Sequence, residues 1–210
     1  MKHHYLKKIL CLWLFAIFCQ AAVAAPEQPG IVVLGDSLSA AYGMPRDQGW
    51  VALLGDKLES KGYPHTLVNA SISGETTSGG LRRLPALLEK HQPEIVILEL
   101  GANDGLRALS LEAMRKNLTS MVEQSQAAGA QVLVLGMRIP SNYGPAYTGE
   151  FHTAFKQVAQ AQDTALLDFF LAPIALKESY FQNDRIHPNA KAQPLLLEHV
   201  WPALAPLLKK

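Results

Sequence analysis

Five short apolar runs divide the chain, and they constrain its fold more than any other feature of the sequence. Each run is rich in Val, Ile or Leu, as expected of strands that are buried on both faces of a parallel sheet. The runs are Ile31–Leu34, Leu67–Ala70, Ile95–Leu100, Val132–Met137 and Ala165–Phe169. They predict five strands of one parallel sheet.

Longer segments with helical spacing separate the apolar runs. In the first of them Val51, Leu54 and Leu58 form one apolar stripe, and the next two segments repeat this spacing. The predicted helices are Trp50–Lys61, Leu81–Gln92, Leu111–Ala128, Phe151–Gln162 and a final stretch from Ala190 to Leu208. Strands that alternate with helices predict right-handed crossovers and one three-layer α/β/α domain.

The first 24 residues have the pattern of a secretory signal peptide. Lys2, Lys7 and Lys8 precede an apolar run at Ile9–Phe18, and Ala22-Val23-Ala24 forms a cleavage signal. The apolar run is shorter than the ~20 residues that a membrane-spanning helix requires. We therefore expect residues 1–24 to be removed and residues 25–210 to form the single domain, with a retained membrane anchor as the alternative.

The predicted mature chain has little net charge and no cysteine. Loss of the three leader lysines changes the formal net charge from +1 to −2, and both Cys11 and Cys19 lie in the leader. Nucleic acid and anionic lipid are therefore not expected partners. Thiolate catalysis, zinc ribbons and Fe–S clusters are excluded as well. These features predict a periplasmic or secreted protein without a stable membrane anchor.

Polar residues and glycines collect directly after the apolar runs. In an open α/β sheet, ligands bind at the carboxyl ends of the strands, where the strand order reverses. If the order is 2-1-3-4-5, this reversal places Ser37 and Asn103 opposite each other. The segments at the strand ends are Gly35–Ser39, Ser71–Thr76, Gly101–Gly105, Arg138–Gly144 and Asp184–Pro188.

His187 is the histidine with the most distinctive neighbours, because Asp184 precedes it by three residues and Pro188 follows it. An Asp and a His at this spacing can share one tight turn, in which the carboxylate accepts the imidazole Nδ1–H and leaves Nε2 as an acceptor. The same pattern also fits a helix start with Asp as the cap. The four other histidines after the leader are expected at the surface without a role.

Ser37 is the candidate nucleophile for such a base. It follows an apolar strand in a Gly-Asp-Ser turn that can leave its hydroxyl exposed at the sheet edge. A serine hydroxyl becomes a useful nucleophile near neutral pH only with an adjacent base. The alternative is that Ser37 merely caps the following helix. Ser37 and the Asp184–His187 pair therefore support each other.

Acyl transfer also requires hydrogen-bond donors for the developing oxyanion. The backbone N–H of Gly74, the side-chain amide of Asn103 and the backbone N–H of Ser37 are the candidate donors. Gly74 and Asn103 are also ordinary turn residues, which is the alternative for each of them alone.

Four of these segments together resemble the conserved blocks of the SGNH (GDSL) hydrolases. They are Gly35-Asp36-Ser37-Leu38-Ser39, Gly74, Gly101-x-Asn103-Asp104 and Asp184-x-x-His187, in that order. The likeness continues through Asn69–Thr76, Leu84–Leu88, Asn103–Arg107 and Asp184–Asn189, and within the family it points to the periplasmic thioesterase, lysophospholipase and arylesterase group of Gram-negative bacteria.

The resemblance implies a flavodoxin-like sheet of order 2-1-3-4-5 and a Ser37–His187–Asp184 triad. It also implies an oxyanion hole from Ser37, Gly74 and Asn103, and action on acyl esters and thioesters without a metal or organic cofactor. A monomer that binds only a small-molecule substrate is expected.

Two loops are the candidates for substrate binding. They carry Leu106 and Arg107 on one side and Ile139 and Tyr143 on the other, so that apolar and aromatic groups would lie beside a fatty-acyl chain. Plain loop packing is the alternative for all four residues.

Other functions fit the sequence less well. A binuclear metallophosphoesterase needs several histidines and carboxylates, and only His187 is near. The glycine-rich motifs of dinucleotide and phosphate binding are absent, and the serine lacks the second glycine of the G-x-S-x-G motif. A noncatalytic acyl-ligand-binding protein on the same scaffold stays open, as does a carbohydrate acetyl esterase.

Overall fold

The computed structural model describes residues 30–209, in which five parallel strands form one sheet of order β2-β1-β3-β4-β5. The predicted signal peptide, residues 1–24, lies outside the described residues. The strands are β1 (Gly30–Gly35), β2 (Thr66–Asn69), β3 (Ile95–Glu99), β4 (Gln131–Leu135) and β5 (Ala165–Leu167). The predicted strand order is confirmed, and its reversal lies between β1 and β3, where Gly35 is paired with Glu99.

Helices cover both faces of this sheet, as the α/β/α prediction requires. Helix α1 packs on α6, and α4 packs between α2 and α5. The α-helices of residues 30–209 are α1 (Trp50–Ser60), α2 (Thr77–His91), α3 (Ala102–Leu106), α4 (Leu111–Ala127), α5 (Pro145–Ala161) and α6 (Gln193–Leu204). Short 3₁₀ turns occur at Arg46–Gln48, Ser141–Tyr143, Glu178–Tyr180 and Ala205–Leu207. None of these helices combines the length and apolar character that a membrane crossing requires.

Helix boundaries differ from the predicted ones where capping residues extend a helix. Helix α2 begins at Thr77 rather than Leu81, because the hydroxyl of Thr76 accepts the N–H of Gly79 and caps the first turn. Helix α5 begins at Pro145 rather than Phe151, since proline suits the first helical turn. Helix α3 was not predicted at all, because five residues are too few to display a period.

The core lies on both faces of the central strands. The apolar side chains of β1 and β3 are at most 1% exposed, whereas the edge strand β2 has exposed residues at both of its ends. Helices close the core with large aromatic side chains, and Trp50, Phe151, Phe155 and Phe170 are completely buried. The sheet is thus a rigid platform for the loops at its carboxyl edge.

Gly101 is a point where this core tolerates no side chain. It connects β3 to α3 with a φ of +116°, and a Cβ built there would lie 2.9 Å from the ring of Phe155. Gly129 also has a positive φ, of +87°, but a Cβ built there meets nothing within 4 Å. In urea denaturation we expect Gly101→Ala to lower the unfolding free energy by about 1–3 kcal/mol more than Gly129→Ala, because only the former overpacks the core. Equal losses would show that the Phe155 ring moves aside without cost.

His65 corrects one expectation from the sequence. The surface position predicted for it is wrong, because its side chain is fully buried and its Nε2 lies 3.3 Å from a carboxylate oxygen of Glu94. An imidazole is small enough to be buried beside a single acidic partner, and the isolated residue type gave no sign of that environment.

Candidate active site

Ser37 lies in a tight turn at the carboxyl end of β1. The turn is closed by two backbone hydrogen bonds, from Ala40 N–H to Asp36 O at 2.9 Å and from Tyr42 N–H to Ser37 O at 3.2 Å. The residues on either side of Ser37 are buried, and Ser37 itself is only half-buried. The turn therefore presents the hydroxyl at the edge of the sheet, as the sequence predicted.

Asp184 and His187 share one turn in the loop between β5 and α6. One carboxylate oxygen of Asp184 accepts the backbone N–H groups of Ile186, at 2.9 Å, and His187, at 3.0 Å. Its other oxygen lies 2.7 Å from Nδ1 of the His187 imidazole. Although partial burial opposes it, these hydrogen bonds from His187 and Ile186 lower the pKa of Asp184 from 3.8 to about 2.

The two turns meet across the edge of the sheet. Nε2 of His187 lies 2.9 Å from the hydroxyl oxygen of Ser37, although 150 positions separate the two residues in the chain. The ring of Tyr42 leans against the imidazole, with 4.4 Å between ring centroids. With Nδ1–H donated to Asp184, Nε2 is the acceptor for the Ser37 O–H, so an alcohol, an imidazole and a carboxylate stand in hydrogen-bonded sequence.

Gly74 and Asn103 lie in the loops that follow the neighbouring strands. Gly74 has a φ of +79° and is exposed, and Asn103 lies in the first turn of α3. Arg107 connects the two residues, because its guanidinium donates to the carbonyl of Gly74 at 3.0 Å and to the side-chain oxygen of Asn103 at 3.4 Å. The side-chain nitrogen of Asn103 donates to Asp36 at 3.0 Å. The segments that carry the predicted oxyanion donors are thus held together beside Ser37.

Residues 33–194 of the chain match the model of the GDSL-like lipase/acylhydrolase family. The chain belongs to this family. The predicted resemblance to the SGNH (GDSL) hydrolases is therefore confirmed, and the matched range contains each of the site residues described above.

Relatives of this GDSL-family chain cover almost its whole length. It is 48% identical to esterase TesA of Pseudomonas aeruginosa over 198 residues, which is 94% of this chain and 96% of TesA. It is 41% identical to thioesterase 1/protease 1/lysophospholipase L1 of Escherichia coli K12 over 196 residues, 93% of this chain and 92% of that protein. Among solved structures, the psychrotrophic esterase EstA from Pseudoalteromonas sp. superposes with a TM-score of 0.81 at 47% identity, covering 84% of this chain and 97% of EstA.

A buried carboxyl pair lies behind the site, and sequence reasoning missed it. Asp36 is 1% exposed and Glu99 is completely buried. Burial raises the pKa of Asp36 to about 6, against the lowering effect of hydrogen bonds from Leu38 and Asn103. Burial, followed by the nearby charge of Asp36, raises the pKa of Glu99 well above its usual range. The available signal was a carboxylate inside an apolar run.

The four residues predicted to bind substrate are placed differently by the structure. Arg107 is exposed beside Gly74 and Asn103, whereas Leu106 is half-buried and its carbonyl accepts the Tyr143 hydroxyl at 2.7 Å. Ile139 is buried, only 9% exposed, in the core of the domain. Arg107 and Tyr143 thus lie on the loops around the GDSL-family site, whereas Ile139 belongs to the core.

Within residues 30–209, no three or more His, Cys, Asp or Glu side chains are grouped so that they could hold a metal ion. The sequence-based expectation that the GDSL-family site works without a metal or organic cofactor stays a prediction.

Proposed function

We propose that this chain is a serine hydrolase that cleaves acyl esters and acyl thioesters through a covalent acyl-enzyme on Ser37. The observation that carries this proposal is the 2.9 Å contact between the Ser37 hydroxyl and Nε2 of His187. The 2.7 Å contact between His187 Nδ1 and Asp184 supports it, because this partner fixes the tautomer that leaves Nε2 free to accept a proton. In this proposal Ser37 is the nucleophile, His187 the base and Asp184 the group that orients it.

The first half-reaction forms the acyl-enzyme. The Ser37 oxygen attacks the carbonyl carbon of the substrate, and its proton passes to Nε2 of His187. The carbonyl oxygen becomes an oxyanion that accepts hydrogen bonds from the backbone N–H groups of Ser37 and Gly74 and from the Asn103 amide. When the tetrahedral intermediate collapses, the C–O or C–S bond breaks, and His187 gives its proton to the departing alcohol or thiol.

The second half-reaction restores the serine. A water molecule attacks the acyl carbon, His187 Nε2 takes the proton of that water, and the same donors hold the second oxyanion. The bond between the acyl carbon and Ser37 then breaks, and the serine oxygen recovers its proton from His187. The carboxylic acid leaves, and the site returns to its starting protonation state.

The names of the relatives support the substrate class. One is an esterase, one an arylesterase and one a thioesterase that is also named a lysophospholipase. For this chain we propose that Leu106, Arg107 and Tyr143 line the path of the acyl group and that Ile139 shapes it from below. The acyl chain of the substrate would then contact the half-buried apolar and aromatic surface of these residues, beside the proposed oxyanion donors.

The location and assembly of the protein are proposals as well. The lysines, apolar run and A-x-A signal of residues 1–24 support removal of a signal peptide and a periplasmic or secreted mature protein. All residues of the proposed site come from one chain, so a monomer suffices for the reaction.

The proposed nucleophile is tested by labelling with a fluorophosphonate, which attaches covalently to an activated serine. The related esterase EstA is described as inhibited by monoethylphosphonate. We expect stoichiometric labelling of the mature protein at Ser37, located by peptide mass spectrometry, and no labelling of Ser37→Ala. An unlabelled wild-type protein that still binds acyl ligands would instead support the noncatalytic alternative.

Removal of the Asn103 amide tests the oxyanion hole. We expect Asn103→Ala to lower kcat for p-nitrophenyl butyrate by a factor of about 10²–10³, which is the usual effect of losing one such donor. Gln126→Ala is the matched control, because that exposed amide donates to the Gln162 carbonyl at the C-terminal end of α4, on the side of the sheet opposite to the site. A kcat of Asn103→Ala within the range of the control would exclude Asn103 as an oxyanion donor.

A further inference from the structure

Glu99 occupies a position where an ordinary carboxylate would be very unfavourable. It ends β3, is completely buried, and is paired in the sheet with Gly35, two positions before Ser37. A buried charge without compensation costs far more than the total stability of a small domain, so such a group is neutralised or fully hydrogen-bonded. The contacts of its two oxygens show which of these applies.

Only one oxygen of Glu99 accepts hydrogen bonds. Its Oε2 accepts the Ser39 hydroxyl at 2.8 Å and the Asp36 backbone N–H at 3.3 Å. The Ser39 hydroxyl in turn accepts the indole N–H of Trp50 at 3.2 Å. Oε1 is buried and has no hydrogen-bond partner among the described residues. A neutral acid at Glu99 removes the cost of burying a second charge beside Asp36, and its proton is donated to the Asp36 carboxylate, to which the Glu99 side chain is hydrogen-bonded.

Asp36 links Glu99 to the reacting groups. Its Oδ1 accepts the backbone N–H of Leu38 at 3.0 Å, and its Oδ2 accepts the side-chain amide of Asn103 at 3.0 Å. One carboxylate therefore orients both the turn that contains Ser37 and the amide of the proposed oxyanion hole. His187 is the other titratable side chain whose charge acts on Asp36.

We propose that Glu99 is a positioning residue, held in its neutral form, that fixes Asp36 and through it directs the Asn103 amide toward the oxyanion. This inference rests on the proposed function, since it gives a role to groups behind that site. Glu99 does not contact a reacting atom. It holds the Asp36 backbone N–H in place and, together with Ser39 and Trp50, forms the buried side of the turn that contains Ser37.

Gly35 leaves the space that the Glu99 carboxyl group and the Ser39 hydroxyl occupy. A Cβ built at Gly35 would lie 2.9 Å from Oε2 of Glu99 and equally close to the Ser39 hydroxyl. Any side chain at this position would push the carboxyl group away from Asp36 and Ser39. The glycine before Asp36 is thus explained by the buried acid on the neighbouring strand.

The proposal is tested by comparing Glu99→Leu with Glu99→Gln in hydrolysis of p-nitrophenyl butyrate. Leucine removes both oxygens, and we expect kcat to fall about 10²-fold, the scale reported for a small displacement of a catalytic group. Glutamine is neutral and keeps one acceptor, so it should restore most of that loss. KM should stay within about twofold in both variants, because binding of the ground state is unaffected.

A double-mutant comparison separates positioning from general destabilisation. If Glu99 acts through Asn103, Glu99→Leu should cost little further activity in an Asn103→Ala background. Ser125→Ala is the control for loss of a buried hydrogen bond, because Ser125 bonds Met121 within α4 and should affect stability without changing kcat. An unchanged kcat in Glu99→Leu, or equal fold losses in both backgrounds, would overturn the proposal.

Asp36→Asn provides the test if Glu99→Leu does not fold. The variant preserves shape but has one acceptor oxygen for two N–H donors, so kcat should fall about 10²-fold at unchanged KM. Wild-type activity in Asp36→Asn would exclude the connection from Glu99 to Asn103. A wild-type protein that neither hydrolyses esters nor reacts with fluorophosphonate would instead refute the proposed function itself.

Discussion

Ser37→Ala is expected to reduce kcat for p-nitrophenyl butyrate by about 10⁴–10⁶-fold, the range found when a serine nucleophile is removed. The physical reason is that the substitution removes the hydroxyl that lies 2.9 Å from Nε2 of His187, so the covalent route is lost and only binding and the oxyanion donors remain. The substitution removes one oxygen from a half-buried side chain and opens no cavity in the core. The thermal midpoint of the variant should therefore stay close to that of the wild-type protein.

Ser60→Ala is the control for this measurement. Its hydroxyl bonds the Lys57 carbonyl at the exposed end of α1, far from the loops at the carboxyl edge of the sheet. Wild-type turnover is expected for it. If Ser37→Ala kept turnover within tenfold of wild type, the covalent mechanism proposed for Ser37 would be wrong, whatever the state of the His187–Asp184 pair.

The fold could be predicted from the sequence because strands that are buried on both faces of a sheet appear as continuous apolar runs. Every residue of Ile95–Leu98 is buried, so β3 appears as an uninterrupted apolar run. An apolar run can, however, extend beyond the end of the strand that it predicts. Met137 belongs to an apolar run and is 4% exposed, yet β4 ends at Leu135, because the chain leaves the sheet while still inside the core. Hydrophobicity reports burial, and strand pairing has to be learned from the structure.

The site was accessible in part for a different reason. Asp184 and His187 are three residues apart, so a single turn brings them together and the spacing alone predicts their contact. Their approach to Ser37 depends on how distant segments pack, and no local pattern encodes it. The family resemblance supplied that connection, and the 2.9 Å distance between Ser37 and His187 agrees with it.

The buried acid shows what sequence reasoning overlooked. Glu99 lies inside a run of Val, Ile and Leu residues, and its charge was not weighed against the burial that the run predicts. A carboxylate in a doubly covered strand has to be neutral or bonded, which is itself a sign of function. The placement of Ile139 in the core could not be foreseen in this way, because an apolar residue in a loop is equally compatible with exposure and burial.

Asp184→Asn is expected to lower kcat by about 10⁴-fold while leaving KM nearly unchanged. An asparagine can present its NH₂ group to Nδ1, which favours the tautomer with the proton on Nε2, and that tautomer cannot accept the Ser37 proton. The variant also lacks the ionised carboxyl that stabilises the imidazolium formed during attack. Asp163→Asn, at an exposed turn before β5, is the matched control and should keep wild-type kcat.

The acid stability of the same variant gives a second, independent result. Because the folded protein lowers the pKa of Asp184 from 3.8 to about 2, the ionised carboxyl favours the folded state above pH 4. That contribution is lost as the pH falls through about 2, where the carboxyl is protonated in the folded protein as well. The thermal midpoints of wild type and Asp184→Asn should therefore differ most near neutral pH and converge toward pH 2. A difference that persists unchanged to pH 2 would mean that Asp184 stabilises the turn by its shape alone, without the charge on which its proposed role depends.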